Sequence, residues 1–205
     1  MHRIHVDLGR LSGSPVPELG AEAYPRLPKC EAELLRRAAI AHYLGPMARK
    51  DISMTEDEVQ EFLSSGAKVL QVASIGKDGT PHLAPMWFTM DDGRVVFRSF
   101  TKSQKIVNLA RDPRITVLVE TGDTYATLQG VMIKGRAELI ADPSYVLEIY
   151  GRLAARYPFA GDTPVPLEAD ALEQAFGPFA PKNTAVIVEP TQITSWDHTK
   201  LDGTY

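Results

Sequence analysis

This 205-residue chain is short of sulfur and of rings: one cysteine, Cys30, two tryptophans and 8% aromatic residues overall. A single cysteine excludes an internal disulfide framework and fits a reducing compartment. No apolar run approaches the roughly 18 residues that would suggest a membrane span. The first residues, Met1 to Leu8, lack the apolar core of a signal peptide, so a cytoplasmic location is expected. His2, His5, His42, His82 and His198 show no metal-ligand spacing, so no metal is expected. A Gly-rich dinucleotide fingerprint is missing, and so is a nucleophile elbow. A net charge of -4 gives no pervasive basic surface for nucleic acid. What remains is an ordinary globular composition, 44% hydrophobic and 23% charged, long enough to bury a substantial core.

Against that mild acidity, one stretch is strongly basic. Arg98 to Arg114 carries five basic residues and one acid. The pattern predicts a strand running into a helix, with Thr101 as N-cap and Gln104 returning the bond as a capping box. A helix N-terminus leaves N–H groups unpaired and carries partial positive charge, which suits a phosphate. Lys102 and Lys105 add full charges there, and Arg98, Ser99 and Ser103 add donors. The competing reading is a solvated basic helix face.

The chain divides near residue 53. Residues 1–53 hold Pro15, Pro17, Pro25, Pro28 and Pro46, with eight basic and six acidic residues. Glu31 to Tyr43 has the spacing of one amphipathic helix, so this part reads as an arm that packs on a partner or stays partly mobile. From Met54 a compact unit, 54–205, is expected. Thr55 and Glu58 form a capping box ahead of Val59, Phe62 and Leu63. Strands follow over Lys68–Ile75, Thr80–Met90, Arg94–Ser99, Ile115–Glu120 and Tyr125–Ile140, with Gly130 and Gly135 as bulges. Pro81 and Pro85 mark the second of these as irregular or at an edge. Asp142 caps a helix with Pro143 at its first position, and Leu167–Phe176 reads as a short helix. A closing strand over Thr184–Trp196 is interrupted at Pro190. Six strands with hairpin turns and few helices imply an antiparallel barrel.

Four segments resemble a known family: Gly79 to Phe88 (GTPHLAPMWF), Lys102 to Arg114, Gly130 to Glu138 (GVMIKGRAE) and Ser195 to Leu201 (SWDHTKL). Together they resemble the split β-barrel of the pyridoxamine 5′-phosphate oxidase-like flavin-binding proteins, over about residues 54–205. The tail from Ser195 is most similar to the branch containing deazaflavin (coenzyme F420)-dependent oxidoreductases. The resemblance implies a homodimer with the cofactor at the subunit interface. It places Arg98 and Ser99 at the strand end that contacts the cofactor phosphate, and Gln104-Lys105 where the oxidases carry Arg-Lys. Pro85, Met86, Trp87 and Phe88 match the strand beside the flavin ring. Trp87 and Phe88 can equally be core, since alternation turns one of them inward.

Two departures narrow the expected activity. Gly130 stands where the oxidases proper carry a flavin-binding glutamine, and their C-terminal Arg-x-His substrate element has no match. Pyridoxine phosphate oxidation itself is therefore not expected. The reading is an oxidoreductase moving hydride between a flavin-type cofactor and a planar conjugated small molecule. Coenzyme F420 is favoured by the tail and by Gly130, and FMN by the wider family. A carrier or sensor that holds flavin or haem without turnover stays open. No dedicated catalytic residue is evident beyond Tyr125, a candidate proton donor or substrate contact. Asp197 and His198 are not an acid–base dyad, because neighbours on a strand face opposite ways.

Overall fold

A computed structural model describes residues 51–159 and 161–201 of the chain. The expected arm lies outside the described residues as far as residue 50, and with it the helix over Glu31–Tyr43. Helix α1 (Glu56–Ser64) begins where its cap is written. The Glu58 N–H donates to the Thr55 hydroxyl at 3.3 Å, and the Thr55 N–H donates to the Glu58 carboxylate at 2.7 Å. Val59, Phe62 and Leu63 form its buried face, as their spacing predicts.

Strands β1 (Leu70–Ile75) and β2 (Pro81–Met86) make the first hairpin, and β3 (Phe88–Asp91) and β4 (Arg94–Phe100) the second. Gly79 turns the first at φ +85°, a region that glycine enters without a Cβ clash. Helix α2 (Gln104–Arg111), β5 (Arg114–Thr121), β6 (Gln129–Ile140), α3 (Pro143–Ala154), α4 (Ala169–Phe176) and β7 (Asn183–Asp197) follow. The strands join one antiparallel sheet, ordered β2-β1-β5-β6-β7-β4-β3 and curled into a half-barrel of the split-barrel type. Seven strands replace the six expected, because the return strand breaks at Trp87 into β2 and β3. Both pieces lie at sheet edges, where Pro81 and Pro85 are tolerated because one side of the strand pairs with no neighbour.

Other elements differ from expectation for local reasons. β7 runs unbroken through Pro190, and the register against β6 slips between Lys134 and Gly135 to accommodate it. Gly135 allows that approach: a Cβ there would sit 2.1 Å from the Glu189 carbonyl oxygen. Gly130 makes no bulge. β6 begins at Gln129 rather than Tyr125, because Thr124 and Thr127 bond to each other and hold Tyr125–Thr127 in a 3-10 turn.

Two apolar layers result, one on each face of the sheet. The inner face buries Leu70, Val72, Phe97, Val117, Val119 and Val131. On the outer face α3 packs Val146, Ile149 and Leu153 against Val96, Ala185 and Ile187. Each of the valine, leucine, isoleucine and phenylalanine side chains contributes about 1.5–3 kcal/mol on burial. β4 belongs to both layers: Val95, Phe97 and Ser99 turn inward, while Val96 and Arg98 turn toward α3. Away from α3 the outer face carries a row across five strands, Pro85, Gln71, Leu118, Met132 and Thr194.

Candidate cofactor and ligand site

The strand-to-helix junction read from the charge pattern is present, with a different cap. β4 ends at Phe100, and the Ser103 N–H closes a tight turn onto the Phe100 carbonyl at 2.8 Å. Ser103, not Thr101, is the N-cap of α2, and its side chain makes no cap bond. The expected capping box fails because both of its members are engaged elsewhere. The Thr101 hydroxyl lies 2.9 Å from that of Thr184, and the Gln104 amide donates to Asn108 one turn on at 2.8 Å. The Ser103 hydroxyl faces back to Ser99, 3.0 Å away, and the Lys105 ammonium donates to the same Ser99 oxygen at 3.2 Å.

Ser99, Ser103 and Lys105 thus form one cluster. Ser99 is buried and the other two are half-buried. Burial holds the Lys105 ammonium below its ordinary value. Among the described residues no carboxylate pairs with it. A desolvated cation whose partner is a hydroxyl fits an incoming phosphate, which supplies the missing charge. Lys102 and Gln104 are exposed.

Arg98 leaves β4 on the opposite face. Its guanidinium lies 4.1 Å from the centre of the Tyr150 ring and donates to Asn183 Oδ1 at 3.3 Å. Its Nε is buried without a hydrogen-bond partner among the described residues, and burial lowers the guanidinium from its ordinary value. The Phe88–Phe97 pairing brings Trp87 to the same end of the β3–β4 ladder. Trp87 stacks on Tyr157 at 4.8 Å and 9°, with Phe159 edge-on at 5.0 Å. Between them opens a cavity of about 340 Å³ lined by Val69, Pro85, Met86, Trp87, Arg98 and Leu153.

The structure therefore brings the sequence-predicted residues together in two groups: Ser99, Ser103 and Lys105 in one, and Pro85, Met86, Trp87 and Arg98 in the other. Phe88 is core, fully buried under the Arg156 guanidinium at 4.2 Å. Tyr125 stands at the other end of β6, its ring edge-on to His198 at 4.5 Å, and His198 Nδ1 lies 2.7 Å from the Tyr125 carbonyl oxygen. Tyr150 and Asn183, which hold Arg98, were not singled out in the sequence. Tyr150 shows there only as a packing position of its helix, and Asn183 carries no signal.

Gly130 has a spatial cause. Trp196 pairs with it across β6 and β7, and a Cβ at 130 would meet the indole at 2.2 Å. The indole fills the space that a side chain at 130 would need.

This chain belongs to the pyridoxamine 5′-phosphate oxidase family, whose profile matches residues 55–197. Members of the family bind flavins and small-molecule ligands and are typically dimeric. Among solved structures, a conserved hypothetical protein of Mycobacterium tuberculosis, Rv2991, shares 36% identity over 77% of this chain and 93% of that one, with a TM-score of 0.67. An F420 reductase shares 26% identity over 65% of this chain and 94% of that one, with a TM-score of 0.49. No curated protein matches the chain.

Proposed function

We propose that the chain is an oxidoreductase working with a flavin-type cofactor, coenzyme F420 in preference to FMN, on a planar conjugated substrate. The observation that carries this is the Ser99–Ser103–Lys105 cluster, a half-buried ammonium without a carboxylate in a chain of this family. Lys105 would neutralise the cofactor phosphate, with the Ser99 and Ser103 hydroxyls as donors beside it. Pro85 and Met86 would flank the ring, offering an apolar wall and the backbone of an edge strand. When bound, such a cofactor supplies the hydride, and the protein supplies position and charge.

Trp196 over Gly130 supports the choice between cofactors. Placing the oxidases' flavin-binding glutamine at that position would drive its Cβ into the indole where it stands, so position 130 itself does not make that contact. The same absence argues against pyridoxine phosphate oxidation.

Replacing Lys105 with alanine removes a charge-assisted bond of about 1.5–3 kcal/mol, roughly a tenfold to hundredfold loss of cofactor affinity. Fluorescence titrations of the parent and Lys105→Ala with coenzyme F420 and with FMN test both parts. An unchanged affinity would move the phosphate elsewhere, and binding of FMN alone would overturn the deazaflavin choice.

A further inference from the structure

We infer that the cavity beside Arg98 is a second ligand site, built for the carboxylate of a small planar organic acid. Among the described residues Arg98 uses few of its donors. A guanidinium keeps its charge at any physiological pH, and a desolvated charge is stabilised only by partners. Arg98 has one bond, to Asn183 Oδ1, a Tyr150 ring beneath it, and a buried Nε with nothing to donate to. Among the described residues no carboxylate reaches it.

What the fold does provide is space and a flat wall. The cavity of about 340 Å³ opens directly on Arg98, and Val69, Met86, Leu153 and Trp87 make it largely apolar. That size is at the small end for ligand pockets, and a single convergent polar group in an apolar lining is their usual construction. Both ligand-facing groups are also held in place beforehand. Trp87 meets Phe159 at 5.0 Å, Phe159 meets Phe176 at 5.0 Å, and Phe176 stacks on Tyr150 at 4.5 Å, so one run of rings braces Trp87 at one end and Arg98 at the other. Side chains fixed in advance lose little freedom when a ligand arrives.

The chemistry selects the ligand class. A planar guanidinium fork matches a carboxylate with two parallel bonds. One cation in apolar walls balances one negative charge, whereas a phosphate dianion would bring a second charge into the cavity unpaired. Trp87 favours a planar body next to the carboxylate. The site is separate from the Ser99–Ser103–Lys105 cluster because residues 98 and 99 leave opposite faces of β4. That the bound acid is the hydride acceptor, seated by Pro85 and Met86, rests on the proposed cofactor position; the pocket itself does not.

Calorimetric titration of the full chain with benzoate and with benzamide, its uncharged counterpart, tests the site. Benzoate is expected to bind, and benzamide at least about tenfold more weakly. Arg98→Met should lower benzoate affinity by about tenfold to a hundredfold and leave coenzyme titration unchanged. Lys105→Ala should do the reverse, so failure of the cofactor reading leaves this result standing. Circular dichroism checks folding, and if Arg98→Met does not fold, Arg98→Lys decides, since it keeps the charge and loses the fork. Benzoate affinity unaltered in the folded variant, no benzoate binding by the parent, or loss of benzoate binding in Lys105→Ala would each overturn the site. Inorganic phosphate binding as tightly as benzoate, and lost with Arg98, would overturn the carboxylate class.

Discussion

Arg156 and Arg98 meet aromatic rings at nearly the same distance, 4.2 Å over Phe88 and 4.1 Å over Tyr150. Their surroundings differ in kind: Arg98 faces α3 from β4, whereas Arg156, just past α3, packs on the inner-layer ring of Phe88. Arg156 donates to the Gly66 carbonyl at 2.8 Å and to the Leu63 carbonyl at 2.7 Å. Leu63 lies in the last turn of α1 and Gly66 just past it, and that turn carries no basic residue, so the segment following α3 supplies the cation that the helix terminus lacks. Arg152, one turn earlier, bonds the Met90 carbonyl at 3.0 Å and the Asp91 carboxylate at 2.8 Å, and reaches Glu148 at 2.5 Å. Arg98 has none of these. A fold that satisfies two arginines so fully and leaves a third beside a cavity with no carboxylate among the described residues separates structure from binding among its arginines.

The largest effect expected from this contrast is at Arg156. Arg156→Ala removes two bonds from a charged donor and its packing on Phe88. We expect a loss of about 3 kcal/mol, from about 1.5–3 kcal/mol for each bond to a charged group and partial rescue of the carbonyls by water. Urea denaturation measures it. A loss below about 1 kcal/mol would mean that the α1 terminus is already solvated and that Arg156 is no more structural than Arg98.

Asp91 sharpens the comparison through pH. The Tyr145 hydroxyl donates to Asp91 at 2.6 Å, and this bond, then Arg152, holds the carboxyl below the usual carboxylate value. A folded value below the unfolded one means that the unfolded state takes up protons first as pH falls. The stability is therefore complete above the unfolded value of about 4 and is lost as pH drops through the folded value. Asp91→Asn should cost about 1–2 kcal/mol at neutral pH and nothing further at acid pH, so parent and variant converge once the pH has fallen through the lowered folded value of Asp91. Parallel stability curves across that range would show that Asp91 does not tie the β3–β4 turn to α3. The carbonyl partners of Arg156 do not titrate, so its contribution carries no such dependence.

How much of this could be read beforehand follows the reach of each interaction along the chain. The caps at Thr55–Glu58 and Asp142–Pro143 span three residues and are legible as such. The edge position of β2 follows from Pro81 and Pro85, because a missing donor restricts where a strand can lie. The charge pattern around the β4–α2 junction groups Arg98 with Ser99 and Lys105, since all lie within eight positions. Strand alternation separates them, and it could be applied without a structure. What alternation cannot supply is the destination: Asn183 lies 85 residues from Arg98, and the Thr184 that occupies Thr101 lies 83 away. The break at Trp87 likewise coincides with its packing on Tyr157 and Phe159 from the segment after α3, not with any local turn residue.

The smallest stability effect should come from Arg98 itself, and its smallness is the point. Arg98→Met keeps an unbranched side chain against Tyr150, where a thioether also packs well on a ring. It removes a desolvated guanidinium with an idle Nε, which is a gain, and deprives Asn183 Oδ1 of a donor at 3.3 Å, which is a loss. Asn183 keeps its own bond to the Phe179 carbonyl at 2.9 Å, so only one acceptor is left open. Each of these contributions is about 1 kcal/mol and they oppose each other, so the variant should unfold within about 1 kcal/mol of the parent. Denaturation in the absence of any ligand is the measurement, because a bound anion would stabilise the parent selectively. A variant as damaged as Arg156→Ala would place Arg98 with the structural arginines and leave the cavity without its charge-based purpose. A variant of parental stability that no longer binds benzoate would show a charge kept at that position for what it binds.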